Sequence, residues 1–204
     1  LAKFEEQGKT TMLLAVDGKI AGIVAAMDTP KDNAAEAIKQ LKKMGLEVAM
    51  LTGDNERTAK AIADQLGIDM VIANVLPWEK VNVIKKLQNE GKVVAMVGDG
   101  VNDAPALAKA HVGIAIGSGT DIAKETGGIV LIKDDLRDVA RGIMLSKATM
   151  RKIKQNLFWA FIYNSVSIPV AALGLLNPLV AAGAMAFSSL FVVSNSATLR
   201  LLKL

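Results

Sequence analysis

Asp99 and Asp103 stand four residues apart in the decapeptide GDGVNDAPAL at 98–107. An apolar, β-branched run at 93–97 leads into it and reads as a buried strand, and Asn102 and Asp103 open a helical pattern behind it. Two carboxylates across a strand-to-helix turn suit one hard divalent cation held by oxygens. Thr52, in LTGDN at 51–55, closes another apolar run and offers a hydroxyl, with Gly53 and Asp54 completing the turn. Lys80, the last residue of PWEK at 77–80, offers a fixed cation at a helix start. A hydroxyl, a lysine and a metal-holding acid pair together meet the needs of a phosphoryl group: donors and cations spread over its oxygens while a metal neutralises developing charge. Singly, each residue has a plainer use. The acids form a solvated turn with a helix cap, TGD is only a turn, and Lys80 is a surface lysine.

The elements that must hold these groups are legible around them. Strands are expected at 10–16 and 20–27, joined by the turn Asp17-Gly18-Lys19, with residues 1–9 polar and irregular. Pro30 suits a helix start. Helical periodicity covers 34–44 and 56–66, and a third helix is opened by Pro77 and stopped by Gly91. Further strands are expected at 46–51, 70–73, 93–97, 111–116 and 128–132, and an amphipathic helix at 136–155. Strands alternating with helices imply an α/β fold, a Rossmann-like parallel sheet covered on both faces. Thr52 and Asp99 both follow strands, which puts the reactive crevice along the C-terminal edge of that sheet.

The chain has 204 residues, 51% of them hydrophobic, and the apolar excess is concentrated late in the sequence. It contains no cysteine, which excludes a disulfide framework or a thiolate metal site within it. The net charge of +4 is modest, and much of the basic excess lies in Arg137, Arg141, Lys147, Arg151, Lys152 and Lys154. These precede an uncharged stretch and read as a membrane-proximal flank, not a nucleic-acid patch; a solvated helix face is the plainer alternative. Residues 156–176 and 179–199 carry no charge, and each would span roughly 31 Å as a helix, about one hydrocarbon core. Asn177-Pro178 separates them, and Arg200 and Lys203 follow. Both outer ends are therefore expected in the cytoplasm, making this an integral protein of the cell membrane with a cytoplasmic soluble part. Polar groups inside the spans include Tyr163 and Asn164, then Ser188 and Ser189, with Met185 and Ser189 on one helix face. Such groups mark either helix packing or a substrate path. Neither span holds a carboxylate or a lysine, which suits a soft monovalent ion better than Mg²⁺, Ca²⁺ or Zn²⁺.

LTGDN, Pro77 with Lys80, and GDGVNDAPAL resemble the phosphorylation domain of P-type ATPases, within the haloacid-dehalogenase-like superfamily. The resemblance implies that Thr52 and Lys80 bind the acyl phosphate, with Gly53 and Asp54 in the same loop. It further implies that Asn102 contacts the phosphate, Asp99 ligates Mg²⁺ and Asp103 supports that metal site. Asp28, in MDTPK at 27–31, matches the family's hinge segment beside the bound ATP. The apolar region resembles the last two helices of the heavy-metal (type IB) members that transport copper(I). By that likeness Tyr163, Asn164, Met185 and Ser189 lie on a Cu⁺ path; zinc and cadmium members place a lysine and an aspartate there instead. ATP, Mg²⁺, the lipid bilayer, copper(I) as cargo and a soluble copper donor are the implied ligands and partners.

One departure is large. The family's phosphorylated aspartate lies in a D-K-T-G-T motif, which this sequence does not contain. Residues 1–19 then read as the tail of a nucleotide-binding domain, 20–135 as an incomplete phosphorylation domain, 136–155 as a linking helix, and 156–204 as a transmembrane hairpin. The chain is expected to begin after the nucleophile, to lack the central strand, and to be inactive alone. A zinc, cadmium or other P-type pump is the enzymatic alternative. A non-catalytic membrane-anchored regulatory or binding protein is the other.

Overall fold

The computed structural model describes every residue except 28, 100, 101, 118–127, 175, 176, 203 and 204. Strands β1 (Thr10–Val16) and β2 (Lys19–Ala26) form an antiparallel hairpin. Its two-residue turn places Asp17 at φ 51° and Gly18 at φ 75°, the left-handed pair that matches strand twist in tight hairpins. Ahead of it the expected irregular start contains one helical turn, α1 (Ala2–Glu5). That turn is tied down by Glu5, which accepts from Thr11 Oγ1 at 3.1 Å and Arg57 Nη1 at 3.3 Å.

The α/β part then runs α2 (Ala34–Lys43), β3 (Ala49–Leu51), α3 (Glu56–Leu66), β4 (Met70–Ile72), α4 (Lys80–Asn89), β5 (Ala95–Gly98), α5 (Ala104–Lys109), β6 (Val112–Ile116) and β7 (Ile129–Leu131). Helix α2 begins after Asn33, not at Pro30, because residues 31–34 close a turn through Ala34 N–H to the Lys31 carbonyl at 2.9 Å. Helix α3 matches the sequence expectation. Asn55 caps its first turn by accepting from Thr58 N–H at 2.9 Å, and Gly67 at φ 71° ends it in the left-handed conformation.

All strand pairing after the hairpin is parallel, as expected, but it forms two pieces. Strand β3 pairs with β4, and β6 lies between β5 and β7. Each piece has its own core. Ile38, Ala63 and Ile68 support β3 and β4, while Ile84, Met96, Ala106, Leu107 and Ala115 support β5 and β6. Between the pieces runs a cleft of about 400 Å³ lined by Leu51, Ile72, Val83, Leu87, Val94 and Ala95 among others. Strands β3 and β5 are shorter than their apolar runs, since residues 46–48 and 93–94 have no ladder partner here, and Val93 is 86% exposed. Lys92 donates to Glu47 Oε2 at 2.5 Å at this cleft. That hydrogen bond, and then the Glu47 charge, raise the Lys92 pKa above its ordinary value.

The chain divides into two compact units, Leu1–Ala140 and Arg141–Leu204. Helix α6 (Arg137–Ala172) is unbroken, and α7 (Pro178–Ala197) continues into a 3-10 turn at Thr198–Leu201. Within the second unit α6 and α7 lie side by side and antiparallel. Lys152 Nζ donates to Asn195 Oδ1 at 2.8 Å, Asn156 Nδ2 to Ser196 Oγ at 2.9 Å, and the Trp159 and Phe191 rings meet edge-on at 5.4 Å. Among the described residues the expectation of two spans is met at one helix. Ala182–Leu201 is long and apolar enough to cross a membrane, and none of it is buried in the structure. The earlier uncharged run expected to 176 stays helical only to Ala172, with Gly174 turning away at φ 69°.

Candidate functional site

The C-terminal end of β5 carries the acid pair. Gly98 is the last residue of that strand, and a Cβ built there would lie 2.5 Å from Asp103 Oδ2 and 2.8 Å from Asp103 Cβ. Glycine is therefore required for the Asp103 side chain to fold back over the strand end. Asp103 occupies the N-cap position of α5 without capping it. Its carboxylate goes instead to Lys80, whose Nζ donates to Oδ1 at 2.6 Å. The two side chains are only 15% and 13% exposed, so this is a half-buried charge pair and not a solvated acidic turn. Lys80 is the first residue of α4, where the preceding turn is held by Leu76 N–H donating to Glu79 Oε2 at 3.1 Å. Asp99 and Asn102 are exposed, and Asn102 N–H donates to Asp99 Oδ1 at 3.4 Å.

Thr52 sits just beyond β3. Its N–H donates to the Ile72 carbonyl at 3.0 Å, and Val75 N–H donates to the Thr52 carbonyl at 3.1 Å, so β4 and the following loop fix this turn. Thr52 Oγ1 donates to Asp54 Oδ2 at 2.8 Å and accepts from Asp54 N–H at 3.1 Å. The Asp54 carbonyl accepts from Asn74 N–H at 2.8 Å, with Asn74 held at φ 55°. Gly53 is exposed and faces the Val75 carbonyl. The structure thus joins Lys80 to Asp103 and Thr52 to Asp54. No hydrogen bond among the described residues connects Thr52 or Asp54 with Lys80 or Asp103. Among the described residues no three acid or histidine side chains are placed to hold one metal ion together either. Mg²⁺ needs no such cage; it takes one or two carboxylates and fills the rest with water and phosphate. An exposed Asp99 beside an Asp103 with Oδ2 outside the lysine pair fits that demand.

Asp28 lies outside the described residues. Among the residues that follow it in sequence, a cleft of about 620 Å³ is lined by Thr29 to Asn33, with Glu36, Asp134 and Arg137. Lys31 pairs with Asp134, Asn33 Nδ2 donates to Asp135 Oδ1 at 2.7 Å, and Arg137 Nη2 pairs with Asp135 at 2.9 Å. Asp135, and after it Glu36, raise the Arg137 pKa, so this clamp stays charged. Nothing in the sequence patterning pointed to it, because its acids and bases lie about a hundred residues apart.

In the second unit Tyr163, Asn164, Met185 and Ser189 line one cleft of about 390 Å³, together with Ser188 and Ser167. Asn164 Nδ2 donates to its own helix at the Ala160 carbonyl, 2.9 Å away. Asn195 is the residue that sequence reasoning missed. It accepts from Lys152 and donates to Asn156 Oδ1 at 2.8 Å, tying the charged ends of the two helices.

A parallel α/β core with Asp99 and Asn102 following β5 and a helix-start lysine paired to Asp103 there defines the class. Residues 1–111 match the haloacid dehalogenase-like hydrolase family, and the chain belongs to it. Over all 204 residues it is 59% identical to a copper-exporting P-type ATPase of Staphylococcus aureus strain bovine RF122 / ET3-1, covering 25% of that protein. It spans about a quarter of the length of the curated relatives it matches. Its structure is similar to a zinc-transporting PIB-type ATPase in the E2.Pi state, at 39% identity and TM-score 0.82, covering 98% of this chain and 33% of that one. A catalytic CPx-ATPase domain, CopB-B, matches at 37% identity and TM-score 0.55 over 64% of this chain and 53% of that one.

Proposed function

We propose that this chain is part of an ATP-driven copper(I) export pump that works through an aspartyl phosphate, the phosphorylated aspartate lying outside residues 1–204. The observation that carries the reading is the Lys80–Asp103 pair folded over Gly98 at the end of β5. It puts a cation and an acid at one strand end in a family of hydrolases. In this reading Thr52 donates to phosphoryl oxygens, Lys80 holds them electrostatically, and Asn102 orients the group from the start of α5. Asp99 and Asp103 would hold Mg²⁺, which supplies charge neutralisation during transfer. Asp28 lies on the ATP side of the hinge. Residues 1–19 belong to a nucleotide-binding domain, 20–135 form the phosphorylation domain, 136–155 link it to the membrane, and 156–176 and 179–199 are the two spans. The soluble part is cytoplasmic.

Copper(I) as cargo is supported by the cleft that gathers Tyr163, Asn164, Met185 and Ser189, a thioether with neutral oxygen donors and no carboxylate. The 59% identity to a copper exporter over all 204 residues points the same way. A soluble copper donor completes the scheme. The test is ATPase activity of the complete protein with Cu⁺ under reducing conditions, Zn²⁺ or Cd²⁺ as the only added transition metal. Stimulation by Cu⁺ is expected, and stimulation by Zn²⁺ or Cd²⁺ alone overturns the copper reading. The 204-residue chain alone is expected to form no ATP-dependent phosphoenzyme.

A further inference from the structure

From residue 141 onward the sequence carries seven lysines and arginines, and after Asp138 it has no Asp or Glu. Three of these cations, Lys147, Arg151 and Lys154, recur at i, i+4 and i+7 on α6 and so share one face of the helix. All three are exposed, and none makes an ion pair with a described residue. They line a cleft of about 610 Å³ whose remaining walls include Met150, Phe158 and Trp159. Phe158 is 58% exposed and Trp159 39% exposed, and the indole is held by its edge-on contact with Phe191 at 5.4 Å. From Lys154 to Phe158 is one helical turn, about 6 Å along the axis. The charged side chains of the cleft therefore all lie on one side of Gln155 and the aromatic ones on the other, within roughly the depth of a lipid headgroup. Uncompensated cations on flexible stems above rigid aromatic rings suit a phosphodiester whose acyl chains continue downward.

We propose that Lys147, Arg151 and Lys154, with Phe158 and Trp159 beneath them, form a binding site for the phosphate of an anionic glycerophospholipid. The proposal rests on α6 entering the membrane after Gln155. Lipid is favoured over an acidic protein segment because two large aromatic side chains line the same cleft and point the site at an amphiphile.

The site is tested with the full chain in nanodiscs, carrying Trp78→Phe so that Trp159 is the sole tryptophan. Quenching of Trp159 is compared for brominated phosphatidylcholine and brominated phosphatidylglycerol at equal mole fraction. Phosphatidylglycerol is expected to quench more strongly. Lys147→Gln, Arg151→Gln and Lys154→Gln are each expected to lower that preference about fivefold. Quenching by phosphatidylcholine is expected to stay constant. No quenching by either lipid overturns the membrane reading itself. Equal quenching leaves the helix in the membrane and overturns the lipid site, as does a preference that survives the triple substitution. Polyglutamate bound at the three cations with no lipid preference assigns the cleft to an acidic protein and also overturns it.

Discussion

Gly98 is the residue on which the candidate site turns. The atoms that a new methyl would meet are Asp103 Oδ2, Cβ and Cγ, at 2.5, 2.8 and 3.0 Å. The two carbons lie close to the α5 backbone, so the conflict cannot be relieved by a rotation of a long side chain alone. Gly98→Ala is therefore expected to push Asp103 off Lys80 and to cost about 2 kcal/mol in stability, an overpacking penalty measured by urea denaturation. In the complete protein the same change is expected to lower phosphoenzyme turnover about a hundredfold, since a displacement of about 1 Å at a reacting centre costs that much. The cause is checked by a double-mutant cycle: on an Asp103→Gly background, which removes all three atoms, the stability cost of Gly98→Ala should largely vanish. A cost that persists there places the strain elsewhere.

At the scale of elements, the cleft between β3 and β5 decides behaviour. Strand β3 pairs only with β4 and β5 only with β6 among the described residues, so each presents one unpaired edge. Unpaired backbone and exposed apolar side chains, Val93 among them, make a weak edge. Amide exchange in Ala49–Leu51 and Ala95–Gly98 is expected to be fast in the 204-residue chain and at least about tenfold slower in the complete protein, where a further strand can seat between them. Equal protection in both would remove the case for an absent strand. Much of this architecture was legible in sequence: α3 and β1 appear with the expected bounds, since Asn55, Gly67 and the Asp17-Gly18 turn each set a boundary by local chemistry. The site residues were legible as types at strand ends. The Lys80–Asp103 pair was not, because residues 23 apart in sequence are joined only by the packing of α4 and α5 against β5. The early stop of β3 and β5 escaped for the same reason. An apolar run states what can be a strand, while the partner that makes it one lies elsewhere in the chain. In the second unit the apolar count was legible, but the end of α6 at Ala172 was set by local turn geometry at Gly174.

For the whole molecule the reading requires that events at the phosphoryl site reach the membrane helices. Helix α6 is 36 residues long without a break, about 54 Å, and contains both the charged segment and the first uncharged one. A continuous hydrogen-bonded helix carries rotation and displacement along its axis, whereas two glycines introduce a joint that costs about 1 kcal/mol each in helix propensity. They also turn everything beyond by roughly 200° at 3.6 residues per turn. Insertion of two glycines after Ser146 in the complete protein is expected to leave ATP-dependent phosphorylation in place while abolishing most copper transport. The ratio of copper moved into vesicles to ATP hydrolysed measures it. Replacing Ala148 and Thr149 by glycine keeps the phase and adds only the joint, so a milder loss of coupling is expected there. If both variants transport with unchanged coupling, α6 is not the transmitting element, and the link between hydrolysis and transport must run through parts of the pump outside this chain.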